Sequence, residues 1–242
     1  MEHLQIAVCE DSIEEQKQLI SLIENSGIPT KTTVFNSGEE LLQEYRSGKF
    51  DLIFMDIYMD GMTGVEAVTA IRKIDENVHV AFATTSTDHA LESYRLEALK
   101  YIEKPVKAKA VHGLLELTRL KKENTPRLML KIKGKDISVP FERILYAEQK
   151  AHILFLFLAG GEVLHANEKL DNIEKQFAGQ DFFRCHKSYL VNLTYVKSLE
   201  KELMVFSMKE GKNVHIRRES MAKAQKDFEA YLFDRTRRMS DE

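Results

Sequence analysis

The sequence predicts an α/β doubly wound module with five parallel strands, followed by a mostly antiparallel β module. Three observations carry this. Apolar strand patterns alternate with amphipathic helix patterns through the first half, as expected of a parallel sheet covered on both faces. The charged stretch "KKENTPR" then breaks the pattern, because Pro126 prevents a helix from continuing through it. Beyond it the strand patterns crowd together around glycine-containing turns, and only two helix patterns remain. We place the boundary near Asn124, giving modules 1–123 and 124–240. A chain of 242 residues has room for two such domains.

Each element has its own signal. "LQIAVCE" is a short apolar strand, and "SIEEQKQLISLIEN" places Leu19, Ile20 and Ile23 at helical spacing. "KTTVFN" is the second strand. "NSGEELLQEYRSG" opens on cap residues, carries acids in its first turn and is expected to end at Gly48. "DLIFMD" is the third strand, "TGVEAVTAIRKID" the third helix and "VHVAFATT" the fourth strand. "TDHALESYRLEA" reads as a helix, "KYIEKP" as the fifth strand and "KAKAVHGLLELTRLKKEN" as a closing helix. In the second half, "RLMLKIKGKDISVP" predicts two strands around a turn. "RILYAEQKAHILFLFLAGGEVLHAN" predicts three, two of them joined at Gly160-Gly161. A helix over "EKLDNIEKQF" precedes several further strands with turns at Lys201 and Gly211. An amphipathic helix over about 219–233 and a frayed basic tail close the chain.

Composition excludes some classes. A hydrophobic fraction of 43% with 30% charged residues fits a globular chain rather than a disordered one. No apolar run reaches the roughly 18–20 residues that span a bilayer, and no signal-peptide pattern opens the sequence, so a cytoplasmic location is expected with no membrane partner. Only Cys9 and Cys185 are present, which excludes a disulfide framework and a four-cysteine zinc site. Cys9 reads as a small buried hydrophobe. Cys185 reads as packed, with a redox-active thiolate favoured by its basic neighbours as the alternative. The net charge of −3 is unevenly divided. Residues 1–123 hold 14 Lys and Arg against 21 Asp and Glu; residues 124–242 hold 21 against 17. An acidic, cation-handling half beside a basic, polyanion-binding half is one reading of that contrast.

Doubly wound sheets gather functional residues at the carboxyl ends of their strands. Here those tips hold Glu10 and Asp11, Asp56, Thr84, and Lys104 just before Pro105. Three carboxylates together repel one another unless a cation intervenes, and Mg2+ prefers such oxygen ligands. A cation, a carboxylate, a hydroxyl and a lysine suit the oxygens of a transferring phosphoryl group. A nucleotide hydrolase would need a G-x-x-x-x-G-K-S/T loop, which is absent. A haloacid-dehalogenase-type phosphatase would need an aspartate where Tyr58 stands.

The "CED" pair, "FMD…G", "ATT" and "EKP" resemble a response-regulator receiver domain, a flavodoxin-like fold, over about residues 3–122. The resemblance implies that Asp56 accepts a phosphoryl group from a sensor histidine kinase. Glu10, Asp11, Asp56 and the backbone carbonyl of Tyr58 would bind Mg2+, Lys104 would pair with the acyl phosphate, and Thr84 would hydrogen-bond it. Tyr101 would be the switch aromatic. Asp60 departs from the family, which usually has proline there.

In the second half, "FFRCHKSYLVN" and "HIRRE" cluster basic residues among strand formers, which favours nucleic acid. "ILYAEQKAHILFLF", "FFRCHKSYLVNLTYVKSLE" and "HIRRESMAKAQ" are similar to the LytTR DNA-binding domain over roughly 127–233. The resemblance implies a β fold whose loops enter successive major grooves of repeated promoter sites. Base contacts would come from His152, Lys187 and Arg217 or Arg218, with Lys150, Arg184 and His186 beside them. His186 fits a structural role equally well. Ser188, Tyr189 and Asn192 are expected to be structural, and His165 and His215 to be surface residues. Together the two resemblances imply a response regulator that is phosphorylated, dimerises and binds repeated double-stranded sites. A phospho-dependent scaffold binding protein or RNA is the alternative.

Overall fold

The computed structural model describes residues 3–85 and 98–240, the last three as backbone. It divides into two compact units, Met1–Thr125 and Pro126–Glu242.

The first unit runs β1 (Leu4–Cys9), α1 (Ile13–Glu24), β2 (Thr30–Phe35), α2 (Gly38–Glu44), β3 (Leu52–Asp56), α3 (Gly64–Arg72), β4 (His79–Thr84), β5 (Lys100–Glu103) and α4 (Ala108–Asn124). The helix expected over 87–98 falls almost wholly outside the described residues. The strands form one parallel sheet in the order β2-β1-β3-β4-β5. The chain leaves β1 in one direction for β2 and in the other for β3, so the tips of β1 and β3 flank the switch point. Successive strand residues alternate between two cores. Ala7, Cys9, Ile53, Met55, Val80 and Phe82 pack with Leu41 of α2 and with Ala67, Val68 and Ile71 of α3. Ile6, Val8, Leu52, Phe54 and Ala81 pack with Leu19 and Ile23 of α1 and with Val111, Leu114 and Leu115 of α4. Each Leu, Ile, Val, Met or Phe among them contributes about 1.5–3 kcal/mol of burial, and covering both faces explains why β3 is apolar without a break from Leu52 to Met55.

Three helices start on side-chain caps. Ser12 accepts from Glu15 N, Ser37 from Glu40 N, and Thr63 forms a reciprocal capping box with Glu66. Helix α2 ends at Glu44, earlier than the expected Gly48. Tyr45 turns extended and buries its ring, its hydroxyl donating to Asp75 Oδ2 at 2.8 Å. The amides of Gly48, Asn77 and Val78 also donate to Asp75. A satisfied buried carboxylate outweighs another turn of helix.

In the second unit every strand pairing is antiparallel. β6 (Arg127–Ile132) and β7 (Lys135–Pro140) form a hairpin. β8 (Ile144–Lys150), β9 (Ile153–Leu158), β10 (Val163–Ala166), β11 (Phe182–His186) and β12 (Tyr189–Asn192) form a sheet in the order β10-β9-β8-β12-β11. β13 (Val196–Glu200), β14 (Val205–Met208) and β15 (Asn213–His215) form a third sheet. Leu158 N donates to the Glu162 carbonyl at 2.9 Å, so the β9–β10 turn has three residues, Ala159, Gly160 and Gly161, and both glycines take the positive φ they adopt readily.

Two helix expectations are corrected. "EKLDNIEKQF" makes only four α-helical residues, α5 (Leu170–Ile173), before tightening to a 3-10 turn over Glu174–Phe177. The tighter winding sets Phe177 5.0 Å from Phe141 and 4.6 Å from Phe182, ring to ring. The last helix, α6 (Met221–Ser240), continues through the stretch expected to fray. No glycine or proline interrupts residues 221–240, and Ala224 and Phe228 anchor the helix in the core. Among the described residues, no helix is long and apolar enough to cross a membrane.

Candidate functional site

The tips of β1, β3, β4 and β5 bring the acidic set together. Glu10 follows β1, Asp56 ends β3 and Thr84 ends β4, and all three are buried. Lys104 lies just past β5, with its amide donating to the Thr84 carbonyl at 2.9 Å. Its Nζ is 2.6 Å from Glu10 Oε2 and 3.1 Å from Asp56 Oδ2, and it also bonds the Glu15 carboxylate. One carboxylate oxygen from each of Glu10, Asp11 and Asp56 lies within 4.8 Å of the others. Three carboxylates, Glu10, Glu15 and Asp56, therefore meet at one ammonium group, with Asp11 beside two of them.

The electrostatics follow. Burial pushes the Glu10 carboxyl up to about 7, against the opposing pull of Lys104. Burial also raises Asp56, opposed by Lys104 and by the amides of Ile57 and Tyr58. Burial alone would lower Lys104, but its bonds to Glu10 and Glu15 raise it overall, so it stays charged. A hard divalent cation fits the excess of oxygen donors, as Mg2+ binding through Glu10, Asp11 and Asp56 requires. Tyr58 sits two residues past Asp56, with its side chain exposed. Tyr101 lies on β5 beside Phe82, partly buried against the first core.

The backbone behind Asp56 is equally constrained. Gly64 donates to the Ile57 carbonyl at 3.0 Å. A Cβ on Gly64 would stand 1.9 Å from the Asp56 carbonyl oxygen, so only glycine fits.

Two contributors escape the sequence reading. Glu15 stands three residues after the Ser12 cap, where a capping-box glutamate would reach back to the cap amide. Its carboxylate goes to Lys104 instead. Asp60 donates its backbone N–H to Asp11 Oδ2 at 3.0 Å, a bond that the usual proline could not make.

The second unit assembles a basic end of its central sheet. The β8–β9 turn carries Ala151 and His152, and the β11–β12 turn carries Lys187 and Ser188. These turns are neighbours, since Gln149 N donates to the Ser188 carbonyl at 2.8 Å. Arg217 N donates to the Cys185 carbonyl at 2.9 Å, which brings the segment after β15 to the same end. His152, Lys187, Arg217 and Arg218 are exposed there. His186 is held below its ordinary pKa by burial and then by the charges of Lys187, Arg217, Arg184 and His215. Its Nδ1 accepts from Ser188 N, which leaves Nε2 to carry the proton.

Several of the expected contact residues also have partners within the unit. Arg184 donates to Asp171 at 2.8 Å, to Glu174 at 2.9 Å and to the carbonyls of His186 and Lys187. Its guanidinium braces the loop from behind instead of standing free for DNA. Lys150 folds back to Glu148 at 3.1 Å and over the Phe155 ring, while Arg217 pairs with Glu219. Asn192 is structural: its Nδ2 donates to the carbonyls of Phe141 and Ile144, and its Oδ1 accepts from Thr194 N. Tyr189 donates to Glu148 at 2.6 Å. The thiolate alternative for Cys185 fails, because burial pushes that thiol up to about 12 and Arg184 counters it only weakly.

The family profile of the response regulator receiver domain matches residues 6–130, and that of the LytTr DNA-binding domain matches residues 134–229. The chain belongs to the LytTR response regulators. The sensory transduction protein LytT of Oceanobacillus iheyensis is 22% identical over 205 residues, covering 81% of this chain and 83% of that one. The transcriptional regulatory protein YpdB of Escherichia coli K12 is 24% identical over 211 residues, covering 81% and 86%. Among solved structures, the response regulatory domain of protein mrkE from Klebsiella pneumoniae is 26% identical, covering 50% of this chain and 98% of that one, with a TM-score of 0.44. In this response regulator the acidic tip cluster lies within the receiver match and the basic sheet end within the LytTR match.

Proposed function

We propose that Asp56 is the phosphoacceptor for a sensor histidine kinase in the cytoplasm, and that phosphorylation leads to dimerisation and binding of repeated promoter sites. The observation that carries this reading is Lys104 Nζ held between Glu10 and Asp56 at the sheet's switch point. Asp56 offers Oδ2 beside that ammonium, while Oδ1 is fixed by the Ile57 amide at 2.8 Å. An incoming phosphoryl group would bond to Asp56 as its former carrier leaves. Lys104 would then neutralise a phosphoryl oxygen, and Thr84, at the neighbouring tip, would donate its hydroxyl to another. Mg2+ held by Glu10, Asp11, Asp56 and the Tyr58 carbonyl would supply the remaining charge neutralisation. Tyr101 would repack as Thr84 moves, altering the surface through which two copies pair.

The domains are read as 1–123 and 124–240. In the second, His152, Lys187 and Arg217 or Arg218 would reach base edges, with His186 and Lys150 beside them. Two linked output domains on repeated sites gain affinity through effective concentration.

Intact mass after treatment with acetyl phosphate and Mg2+ tests the first half, with one phosphoryl group expected on the wild type. An Asp56→Ala variant that still gained it would sink the assignment. A gel shift on duplex DNA tests the second. Log affinity should fall with log salt by about 0.9 per phosphate neutralised, and salt-independent binding would favour a scaffold.

A further inference from the structure

The turn between β13 and β14, Lys201–Met204, lies against the basic end of the second unit. The Met204 carbonyl accepts from Ile216 N at 2.8 Å, and the next residue, Arg217, donates to the Cys185 carbonyl at 2.9 Å. The turn is therefore one hydrogen bond and one residue away from Arg217, on the side of that segment opposite β11. Its tip is apolar. Leu203 is 65% exposed and Met204 40% exposed. Met204 also holds φ at +52°, in the left-handed region where glycine or asparagine is the ordinary choice. The chain thus keeps two large apolar side chains in water at a hairpin tip whose geometry favours small polar ones. Such a departure next to a binding face is a reason to look for a ligand.

A cationic face can neutralise phosphates and hydrogen-bond base edges, but none of its charged groups can sense a methyl. In duplex DNA the major groove presents one apolar feature, the C5-methyl of thymine. We propose that Leu203, with Met204 alongside, is a specificity-determining residue that packs on a thymine methyl in the major groove of bound DNA. The contact rests on the reading of this face as the DNA interface. It adds a fourth loop to the three that carry His152, Lys187 and Arg217. Continuity with the basic face argues for this occupant, since Leu203 and Arg217 would arrive at the duplex together.

The test uses the full chain and a duplex selected on it from a random-sequence pool. Each thymine of that duplex is replaced singly by deoxyuridine, which removes only the methyl. The wild type should lose about fourfold in affinity at one thymine, as expected for one methyl-sized group returned to water. Leu203→Ser should bind the parent duplex more weakly by a similar factor and be indifferent to deoxyuridine at that position, with an unchanged salt slope. Leu203→Met should keep the sensitivity, which separates lost contact from lost fold. Three results would overturn the inference. The deoxyuridine scan could be the same for wild type and Leu203→Ser. Leu203→Ser could weaken binding only on paired half-sites and not on a single one, which would assign the tip to a second copy of the chain. Failure of the wild type to select any duplex would overturn the DNA reading itself, and the contact with it.

Discussion

Gly64→Ala should damage the receiver unit, whereas the same change at Gly113 should strengthen it. At Gly64 the new Cβ meets the Asp56 carbonyl oxygen at 1.9 Å, Met55 Cγ at 2.8 Å and the Asp56 carbonyl carbon at 2.9 Å. Two of these are backbone atoms of a buried strand end, so they cannot yield as a flexible side chain would. Relief needs a shift of well over an ångström, which also breaks the Gly64 N to Ile57 O bond of 3.0 Å. That bond is worth about 1 kcal/mol and the overpacking about 1–3 kcal/mol. At Gly113, within α4, nothing lies within 4 Å of an added Cβ. There alanine should stabilise the helix by roughly 0.5–1 kcal/mol. Urea unfolding of the full chain reads both effects. With a slope of about 2 kcal/mol per molar, Gly64→Ala should lower the receiver midpoint by roughly 1–2 M and Gly113→Ala should raise it slightly. Asp56 labelling by acetyl phosphate should fall only in the first variant. Equal stability of Gly64→Ala and wild type would refute the close approach as the reason for this glycine.

Glu15→Gln should remove one competitor for Lys104; steady-state labelling of Asp56 by acetyl phosphate, read on a phosphate-affinity gel, should rise about two- to fivefold. Arg184→Ala should lower stability and weaken DNA binding without changing the salt slope, because that guanidinium holds the loop and not a phosphate. Lys187→Ala, which removes a base-edge contact, should cost about 1–3 kcal/mol of binding and relax sequence preference at that position; competition with singly altered duplexes distinguishes the two roles. Both thiols have pKa values pushed up to about 12 from an ordinary 9.0, chiefly by burial. Neither should react with iodoacetamide in the native chain at about pH 8.5, and both should react once it is unfolded, as counted by mass. Since the unfolded chain gives up these protons first, their contribution to stability falls as pH rises from about 9 towards 12.

Much of the fold was legible because its signals are local. The four-residue apolar run of β3, the Ser37 cap and the Gly160-Gly161 turn each act within a few residues of where they are read. The gathering of the strand tips was legible too, since alternating strands and helices leave few arrangements of a parallel sheet. What escaped depends on partners far along the chain. The early end of α2 is decided by Asp75, thirty residues after Tyr45. Glu15 looks like a capping residue until β5 brings Lys104 beside it. Arg184 reads as part of a basic cluster, yet its fork meets carboxylates ten and thirteen residues earlier. The Asp60 amide was invisible for another reason: the side chain drew attention, while the bond to Asp11 is made by the backbone.

The bracing by Arg184 bears on the timing of recognition. A turn such as Lys187–Ser188, left to itself, would sample many shapes and surrender that freedom on meeting its target. Here two carbonyls of the segment and two carboxylates of the preceding helical turns lock it during folding. The entropy of ordering is thereby spent before any encounter, and the free and bound loops should have nearly the same shape. Encounter rates should then follow diffusion and long-range charge attraction, with no slow ordering step after contact.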